Sequence, residues 1–315
     1  MKKIVCLGGG NAMPKVVLVG LKNYPVKITA ICSTLDSGGS SGRLRRDFKT
    51  ISFGDIRRAL IYLSSGPSKI KDVFNFRFTE GELKGHNLGN IILLSLFLLK
   101  KNYEKVLREI KKLFDIRYDV LPATISNSNL FSVLENGRII KGETNIDIPK
   151  HNPNLKIKRV FLKPRAIAFP KSIEAIKKAD LITIGPGDLY SSLAQIFLVN
   201  GISETIKKSR AKKVLICNLM TKHGETNNFS VLDFKKEIEK YLGVNLDYVI
   251  YNNFFPPRER IKRYKKNHPL LLNLVKVDEN LPKTRFIGKN LLLKKDPIEH
   301  DPKKLAKIIF KLCKH

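Results

Sequence analysis

The sequence predicts an α/β fold: a mostly parallel sheet with helices on both faces and a small antiparallel β-subdomain inserted into it. Short apolar runs alternate with helical patterns along most of the chain, which is typical of a parallel sheet covered on both sides. About residues 118–162 instead show short strand-like runs and an Asn-Gly turn, which favours hairpins. With 315 residues, 43% of them hydrophobic, the chain can bury a full core. We expect a single domain over 1–315, with 1–117 and 163–315 forming a Rossmann-like core.

The first two predicted strands, residues 3–7 and 26–32, each run into a glycine-rich turn, at 8–12 and 36–43. Such a turn before a helix brings backbone N–H groups close to a ligand, and the positive end of the helix dipole favours an anion there. The second turn adds serine hydroxyls, the forked cation Arg43 and the carboxylate of Asp36. The pair of turns predicts a pocket for a phosphorylated small molecule, above all a nucleotide.

The first turn departs from known nucleotide fingerprints. It lacks the final glycine of the dinucleotide motif, and the chain has no Walker lysine motif. A tight turn without a ligand therefore stays the alternative for this turn alone, and neither flavin nor NAD is expected as a bound prosthetic group.

The remaining elements follow in order along the chain. Helices are expected at Gly54–Leu63, 88–101 and 103–114. The insert is expected to contain antiparallel strands at 120–124, Asn129–Leu134 and 138–140, extended by a strand at 157–162. The parallel order then resumes with strands at Leu181–Ile184, 214–218 and 247–251, and with helices at 172–179, from about 191, at 230–241 and at 306–313.

Three later loops, at residues 185–192, 217–226 and 250–253, are also polar or rich in glycine directly after a strand. Gly185 and Gly187 permit close backbone approach, and Ser191 or Ser192 is expected to cap a helix or donate to phosphate. Each loop alone is also explained by ordinary loop chemistry. The carboxyl ends of parallel strands meet at one sheet edge, however, so all five loops are expected on one rim.

Composition limits the compartment and the partners. No apolar run reaches transmembrane length, and the chain begins directly with a strand, so we expect neither a membrane span nor a signal peptide. Four scattered cysteines are typical of buried thiols in a reducing compartment, which predicts a cytoplasmic protein. A homodimer is the expected assembly.

The net charge of +31 is spread along the chain in lysine pairs, which favours solvated lysine-rich faces over a nucleic-acid site. The densest basic segment, residues 258–266, leaves contact with RNA or an acidic ligand as the alternative. We expect anionic small-molecule ligands and no nucleic-acid partner.

The motifs together resemble the YvcK/CofD superfamily, and most closely its YvcK-like branch of gluconeogenesis factors. The matching segments run nearly from end to end: Gly8-Gly9-Gly10, residues 36–45, 54–57, 85–90 and 121–124, Gly142-Glu143, and residues 184–190, 217–221, 224–226 and 300–302. The resemblance implies binding of a UDP-sugar and a role in regulating carbon metabolism or the cell envelope. The alternative that it implies is a magnesium-dependent transferase, which moves a phospholactyl-type group from a guanosine diphospho donor to a deazaflavin.

Three departures from the family pattern concern the ligand more than the fold. Asn11-Ala12 replaces the Thr-Gly of the branch, and Asp36-Ser37 replaces the paired aspartates of both branches. His223 stands where the branch has a Gln-Pro pair beside Lys222.

The candidate site residues follow from the turns and from the resemblance. Asp36 is expected to hold Mg²⁺, with a helix cap as its alternative role, and Asp55 either caps a helix or takes part in catalysis. His86 either donates to phosphate and moves a proton or supports another donor. The residues expected to bind the ligand are Gly9, Gly10, Asn11, Ser37, Gly38, Gly39, Ser40, Arg43, His86, Asn87, Asn90, Gly185, Pro186, Gly187, Asn218 and Thr221.

Within that set, Asn87 and Asn90 are expected to face a base or ribose, and Asn218 and Thr221 to read the sugar or base. His151, His268, His300 and His315 show no partner pattern and are expected at the surface. The same positioning and charge-neutralising groups serve a transferase and a binding protein, so the sequence leaves both readings open.

Overall fold

The computed structural model describes residues 1–314, so the expectation for His315 lies outside the described residues. The strands are β1 (Lys2–Gly8), β2 (Val26–Cys32), β3 (Asp119–Pro122), β4 (Asn129–Leu134), β5 (Ile139–Lys141), β6 (Ile157–Lys163), β7 (Leu181–Ile184), β8 (Lys212–Ile216), β9 (Met220–Lys222), β10 (Tyr248–Asn252), β11 (Leu271–Leu274) and β12 (Phe286–Lys289).

The helices are α1 (Val19–Leu21), α2 (Gly39–Asp47), α3 (Gly54–Leu63), α4 (Ser68–Asn75), α5 (Leu88–Lys100), α6 (Tyr103–Leu113), α7 (Glu143–Asp147), α8 (Pro170–Lys177), α9 (Gln195–Phe197), α10 (Ile202–Lys208), α11 (Val231–Leu242), α12 (Arg258–Asn267) and α13 (Pro302–Lys314). Two wider, π-helical segments, Met13–Leu18 and Leu189–Ala194, lead into α1 and α9.

Seven strands form one parallel sheet in the order β12-β10-β8-β7-β1-β2-β3. All four residues of β7 are buried, and so are the last five of β1 and of β2, because helices cover both faces of the sheet. A three-stranded antiparallel sheet, β5-β4-β6, forms the insert, and β9 pairs with β11 outside both sheets. The predicted α/β class is confirmed.

One predicted strand is in a different sheet from the one expected. Residues 119–122 form β3, which pairs in parallel with β2 at the edge of the main sheet, with Thr29 opposite Asp119. The expectation of an antiparallel strand at 120–124 is therefore wrong. After α6 the chain crosses back to the main sheet, and a short apolar run carries no sign of its partner. The insert sheet begins only at β4, where buried and partly exposed residues alternate.

The Asn-Gly hairpin between β4 and β5 is confirmed: Gly137 has a φ of +84°, a conformation that favours glycine. His300, expected at the surface, is instead buried at 5% exposure. None of the described helices is long and apolar enough to span a membrane.

Candidate functional site

The loops that follow β1, β2, β7, β8 and β10 share one edge of the main sheet, because these strands are neighbours and parallel. Gly8 at the end of β1 is opposite Cys32, and Leu7 is opposite Ile184. The glycine-rich turns of the sequence therefore come together at the carboxyl edge, where open α/β sheets bind their ligands.

The first turn is shaped by the close approach of a carboxylate. A Cβ atom at Gly9 would collide with Oδ2 of Asp55, so only glycine leaves room for this acid. Gly10 has a φ of +63°, which also favours glycine. Within residues 1–314, the N–H groups of Gly9, Gly10 and Asn11 have no hydrogen-bond partner.

The second turn opens directly into α2. The backbone N–H groups of Gly39, Ser40 and Ser41 lie in its first turn and, in the described part of the chain, donate to no protein acceptor. Gly38 is the N-cap residue and provides no side-chain cap. Unsatisfied N–H groups at the positive end of a nine-residue helix make this turn suitable for an anion.

Two acids, Asp36 and Asp55, lie between the turns. Asp36 accepts a hydrogen bond from Ser52 Oγ at 3.1 Å, and Asp55 is paired with Arg58. Burial, with repulsion from Asp55, raises the pKa of Asp36 to about 7. Neither side chain caps α2 or α3, so the capping alternatives for both residues are wrong.

The donor set around Asp36 fits a divalent cation. Its carboxylate is partly buried, repelled by a second acid and bonded only to a hydroxyl, so a hard cation would remove the cost of ionising it. Asp36 would hold such an ion, which would supply positive charge beside a bound diphosphate.

Arg43 and His86 flank the second turn. Arg43 donates to the backbone oxygen of Lys84 at 2.8 Å, and within residues 1–314 it forms no ion pair with Asp47 or Asp55. His86 Nδ1 lies 3.4 Å from Ser40 Oγ. Burial, with the nearby Arg43 charge, lowers the pKa of His86, so its ring is neutral at physiological pH.

Asn87 and Asn90 support the turn instead of facing a ligand. The Asn87 side chain caps α5 and donates to the backbone oxygens of residues 75 and 76. Asn90 accepts from Arg57 Nε and donates to the hydroxyls of Ser40 and Ser41. Both amides are buried and satisfied, so the expected contact with a base or ribose does not fit this geometry.

Arg45 is a positioning residue that the sequence analysis did not single out. Its buried guanidinium donates to the backbone oxygens of Leu35 and Ser128 and to Asn127 Oδ1. These bonds hold the chain before Asp36 against the segment that leads into β4. Arg45 lies two residues beyond Arg43 in α2, and it differs from Arg43 in its burial and in the partners that already hold its guanidinium.

The N–H groups of the third loop already bind a carboxylate of the protein. Glu225 accepts hydrogen bonds from the N–H groups of Tyr190 and Ser191, at 2.9 and 3.1 Å, and from the Ser191 hydroxyl at 2.8 Å. The expectation that Ser191 caps this helix or donates to a phosphate is therefore wrong, because a carboxylate from the fourth loop takes its donors.

Lys222 joins the third and fourth loops to α7 through a buried cluster of charges. Its ammonium contacts Asp188 at 2.8 Å, Glu225 at 3.2 Å and also Asp147. Burial alone would lower the pKa of Lys222, but the three carboxylates reverse this and raise it. These carboxylate oxygens lie within 4.8 Å of one another, as metal ligands do, but the ammonium already contacts all three carboxylates and offsets one of their charges.

A cavity of about 270 Å³ continues the rim beyond the Lys222 cluster. Asn218 accepts from Gly187 N at 3.3 Å, which joins the third loop to the fourth. The cavity is lined by Asn11, Ala12, Pro186, Gly187, Asn218, Leu219, Met220, Tyr264, Leu271, Ile298 and His300, among others. Four of these, Asn11, Pro186, Gly187 and Asn218, are predicted ligand-binding residues.

Thr221 does not reach this cavity. Its hydroxyl is buried and bonded to the backbone of Asn273 at 3.3 Å, so the expectation that it reads a sugar or base is not met by this geometry. Tyr264 and His300 line the cavity but were not predicted to do so. Tyr264 lies in α12, whose many basic residues indicated only a charged surface segment. Burial lowers the pKa of His300 to about 4, so the ring is neutral.

A larger groove of about 760 Å³ lies at the opposite edge of the sheet, where the strands begin. Its lining mixes Lys27, Lys111 and Lys171 with acids that pair with them, such as Asp119 and Glu104. No glycine-rich turn reaches it, so size alone does not make it the functional site.

Comparison with known proteins agrees with the fold. The 2-phospho-L-lactate transferase CofD family matches residues 4–292. The chain belongs to this family. It is 37% identical to the gluconeogenesis factor of Bacillus subtilis over 99% of this chain and 98% of that protein.

A second gluconeogenesis factor, from Halalkalibacterium halodurans, is also 37% identical, over 98% of this chain and 95% of that protein. Two crystal structures of a Bacillus halodurans protein, one of them described as a member of the UPF0052 family, superpose with TM-scores of 0.91 and 0.92 at 36% identity. They cover 98% of this chain and 99% and 100% of those chains, so the whole fold is shared.

Proposed function

We propose that this protein binds a nucleotide sugar of the UDP type and acts as a regulator of carbon metabolism. The observation that carries the proposal is the row of unsatisfied N–H groups on the two glycine-rich turns, at Gly9–Asn11 and Gly39–Ser41. A diphosphate needs several such donors at close range, and two turns that face one rim supply them.

The proposal divides the ligand between two parts of the rim. The diphosphate lies at the two turns, with Arg43 at its edge and Mg²⁺ on Asp36. The nucleoside or the sugar extends toward the 270 Å³ cavity, whose mixed lining offers the Asn218 amide beside apolar side chains. Such a cavity has the character of a ligand pocket: mostly apolar walls with a few polar groups that fix orientation.

A regulatory role is supported by the relatives and by the chemistry of the site. Relatives at 37% identity over nearly the whole chain carry the name gluconeogenesis factor. Glu225 and Lys222 form a buried ion pair on the rim, and Glu225 also accepts a hydrogen bond from the backbone N–H of Tyr190. The groups without a protein partner in the described residues, the N–H groups of the two glycine-rich turns, are suited to binding and positioning a ligand.

Calorimetric titration with UDP-N-acetylglucosamine, UDP and GDP, each with and without Mg²⁺, tests the proposal. We expect binding of the uridine compounds that is tighter with Mg²⁺. If no uridine or guanosine diphosphate compound binds at millimolar concentration, the proposal is wrong.

A transferase of the kind named by the family description would use the same turns. Incubation with a nucleotide-activated phospholactate or phosphoenolpyruvate donor and a deazaflavin, followed by mass spectrometry, separates the two. Product would make this chain an enzyme, whereas nucleotide binding without turnover supports the regulator.

A further inference from the structure

One backbone N–H group of the second glycine-rich turn already donates to a side chain of the protein. Glu143, the first residue of α7, accepts a hydrogen bond from the backbone N–H of Ser37 at 3.2 Å through Oε2. The next N–H groups along this turn are the open ones of Gly39, Ser40 and Ser41. A carboxylate from the insert therefore stands beside the donors that an anionic ligand needs.

Helix α7 rests directly on this turn. Ser37 Oγ accepts from Thr144 N at 2.9 Å and lies 3.0 Å from Thr144 Oγ1. A Cβ atom at Gly38 would collide with Thr144 Oγ1, so the glycine is what lets α7 approach. Anything that moves Ser37 or Gly38 must therefore move α7.

Glu143 is held weakly in comparison with Glu225, the other carboxylate that bonds to backbone N–H groups of the rim. Glu225 has three donors from residues 190 and 191 and the ammonium of Lys222. Glu143 has Ser37 N and the Thr144 hydroxyl, and in the described part of the chain it has no ion pair. Burial, together with repulsion from Asp36 and Asp147, raises its pKa to about 8, so at pH 7 most of the group is protonated and little charge strengthens its bond to Ser37 N.

The position of α7 in the chain connects this contact to the insert. It follows β5 and precedes β6 of the antiparallel sheet, and its last residue, Asp147, is paired with Lys222. The helix is thus tied to the nucleotide turn at its first residues and to the Lys222 cluster at its end.

We propose that Glu143 competes with the ligand phosphate for the second turn, and that its displacement shifts α7 and carries the binding signal to the β5-β4-β6 sheet. This inference rests on the proposed function, since it assumes that an anion binds at residues 37–41. The conformation of the insert would then depend on whether a ligand occupies the site.

The test compares Glu143→Gln and Glu143→Ala with the unaltered protein and with Glu174→Gln, which changes an exposed acid remote from the rim. Titrations use UDP and inorganic pyrophosphate. Removing the competing acceptor is expected to tighten both ligands about three- to tenfold, more for alanine than for glutamine because glutamine keeps an acceptor oxygen, and Glu174→Gln is expected to change neither. In hydrogen exchange, saturating UDP is expected to speed exchange of the amides of residues 143–147 in the unaltered protein.

The outcomes separate this inference from the proposed function. Weaker UDP binding in Glu143→Gln would make Glu143 a ligand or metal contact, and would overturn the inference while leaving nucleotide binding intact. Unchanged affinity, or slower exchange across residues 143–147 on binding, would overturn it as well. If neither UDP nor pyrophosphate binds to any of the four proteins, the proposed function and the inference are both wrong.

Discussion

Asp36 and Arg43 lie in the same turn but have different environments, and this gives them different expected roles. Asp36 is partly buried beside a second acid, whereas Arg43 is half-exposed and bonded only to a backbone oxygen. The acid is thus suited to a cation, and the arginine to a direct bidentate contact with phosphate.

We expect Asp36→Asn to weaken magnesium-dependent nucleotide binding while it stabilises the free protein. The pKa of Asp36 is raised in the folded state, so ionising it costs stability as the pH rises from about 4 to 7, and the cost is constant above that. The variant should gain about 2 kcal/mol above pH 7, roughly half of what the full shift implies, because solvent reaches part of the carboxylate. Urea unfolding in EDTA between pH 4 and 8 measures this, and a gain that does not grow with pH would contradict the assigned environment.

Arg43→Ala is expected to weaken nucleotide binding whether or not magnesium is present. It removes a charge-assisted contact of about 1.5–3 kcal/mol, or roughly ten- to a hundredfold in affinity. Its Tm without ligand should stay close to that of the unaltered protein, because only the bond to Lys84 is lost. A large drop in Tm with unchanged affinity would make Arg43 a structural residue.

At this scale the sequence identified the turns better than the individual contacts. Gly10 and Gly39 have a positive φ, a local requirement that could be predicted, whereas Gly9 is required by the approach of the distant Asp55. The amides of Asn87 and Asn90 are satisfied by Arg57 and by the backbone at 75–76, partners that sequence proximity does not reveal.

At the scale of elements, the Lys222 cluster joins α7, the turn before Leu189 and β9. The sequence could not predict it, because Asp147, Asp188 and Lys222 are far apart along the chain and meet only once the insert packs on the core. The parallel strands themselves were predictable from their apolar runs. The edge strand β3 was assigned to the wrong sheet because its partner β2 is separated from it by five helices.

Lys222→Met is expected to destabilise the fold by about 3–5 kcal/mol at pH 7, since it leaves three carboxylates together without their cation. The loss should shrink toward pH 4, because Asp188, whose burial raises its pKa to about 6, then binds a proton. Urea unfolding measures both values, with Lys178→Met in an exposed ion pair as the control. An effect no larger than that of the control would show that the cluster does not hold these elements together.

At the scale of the whole molecule, a chain with a net charge of +31 brings a concentration of acids to its functional edge. Seven of its 28 acidic residues lie there: Asp36, Asp55, Glu143, Asp147, Asp188, Glu225 and Glu299. The overall field attracts anions, while the ionised fraction of Asp36 and Glu143, which have no ion pair in the described part of the chain, repels a bare diphosphate. The two effects together favour a magnesium–nucleotide complex over the free nucleotide.

Removal of magnesium with EDTA is therefore expected to weaken UDP binding about tenfold or more, and the loss should be smaller in Asp36→Asn. Titration at constant ionic strength measures it, because added salt by itself screens the attraction between the lysine-rich surface and the nucleotide. Equal affinity with and without magnesium would contradict the assigned role of the acids.

The central claim is that the carboxyl edge of the main sheet binds a nucleotide diphosphate on its two glycine-rich turns. A crystal structure of the protein with UDP and Mg²⁺ tests this most directly. We predict phosphate oxygens within hydrogen-bond distance of the N–H groups of Gly9–Asn11 and Gly39–Ser41, with the metal on Asp36. A nucleotide bound elsewhere, such as in the lysine-lined groove at the opposite edge, would contradict the account.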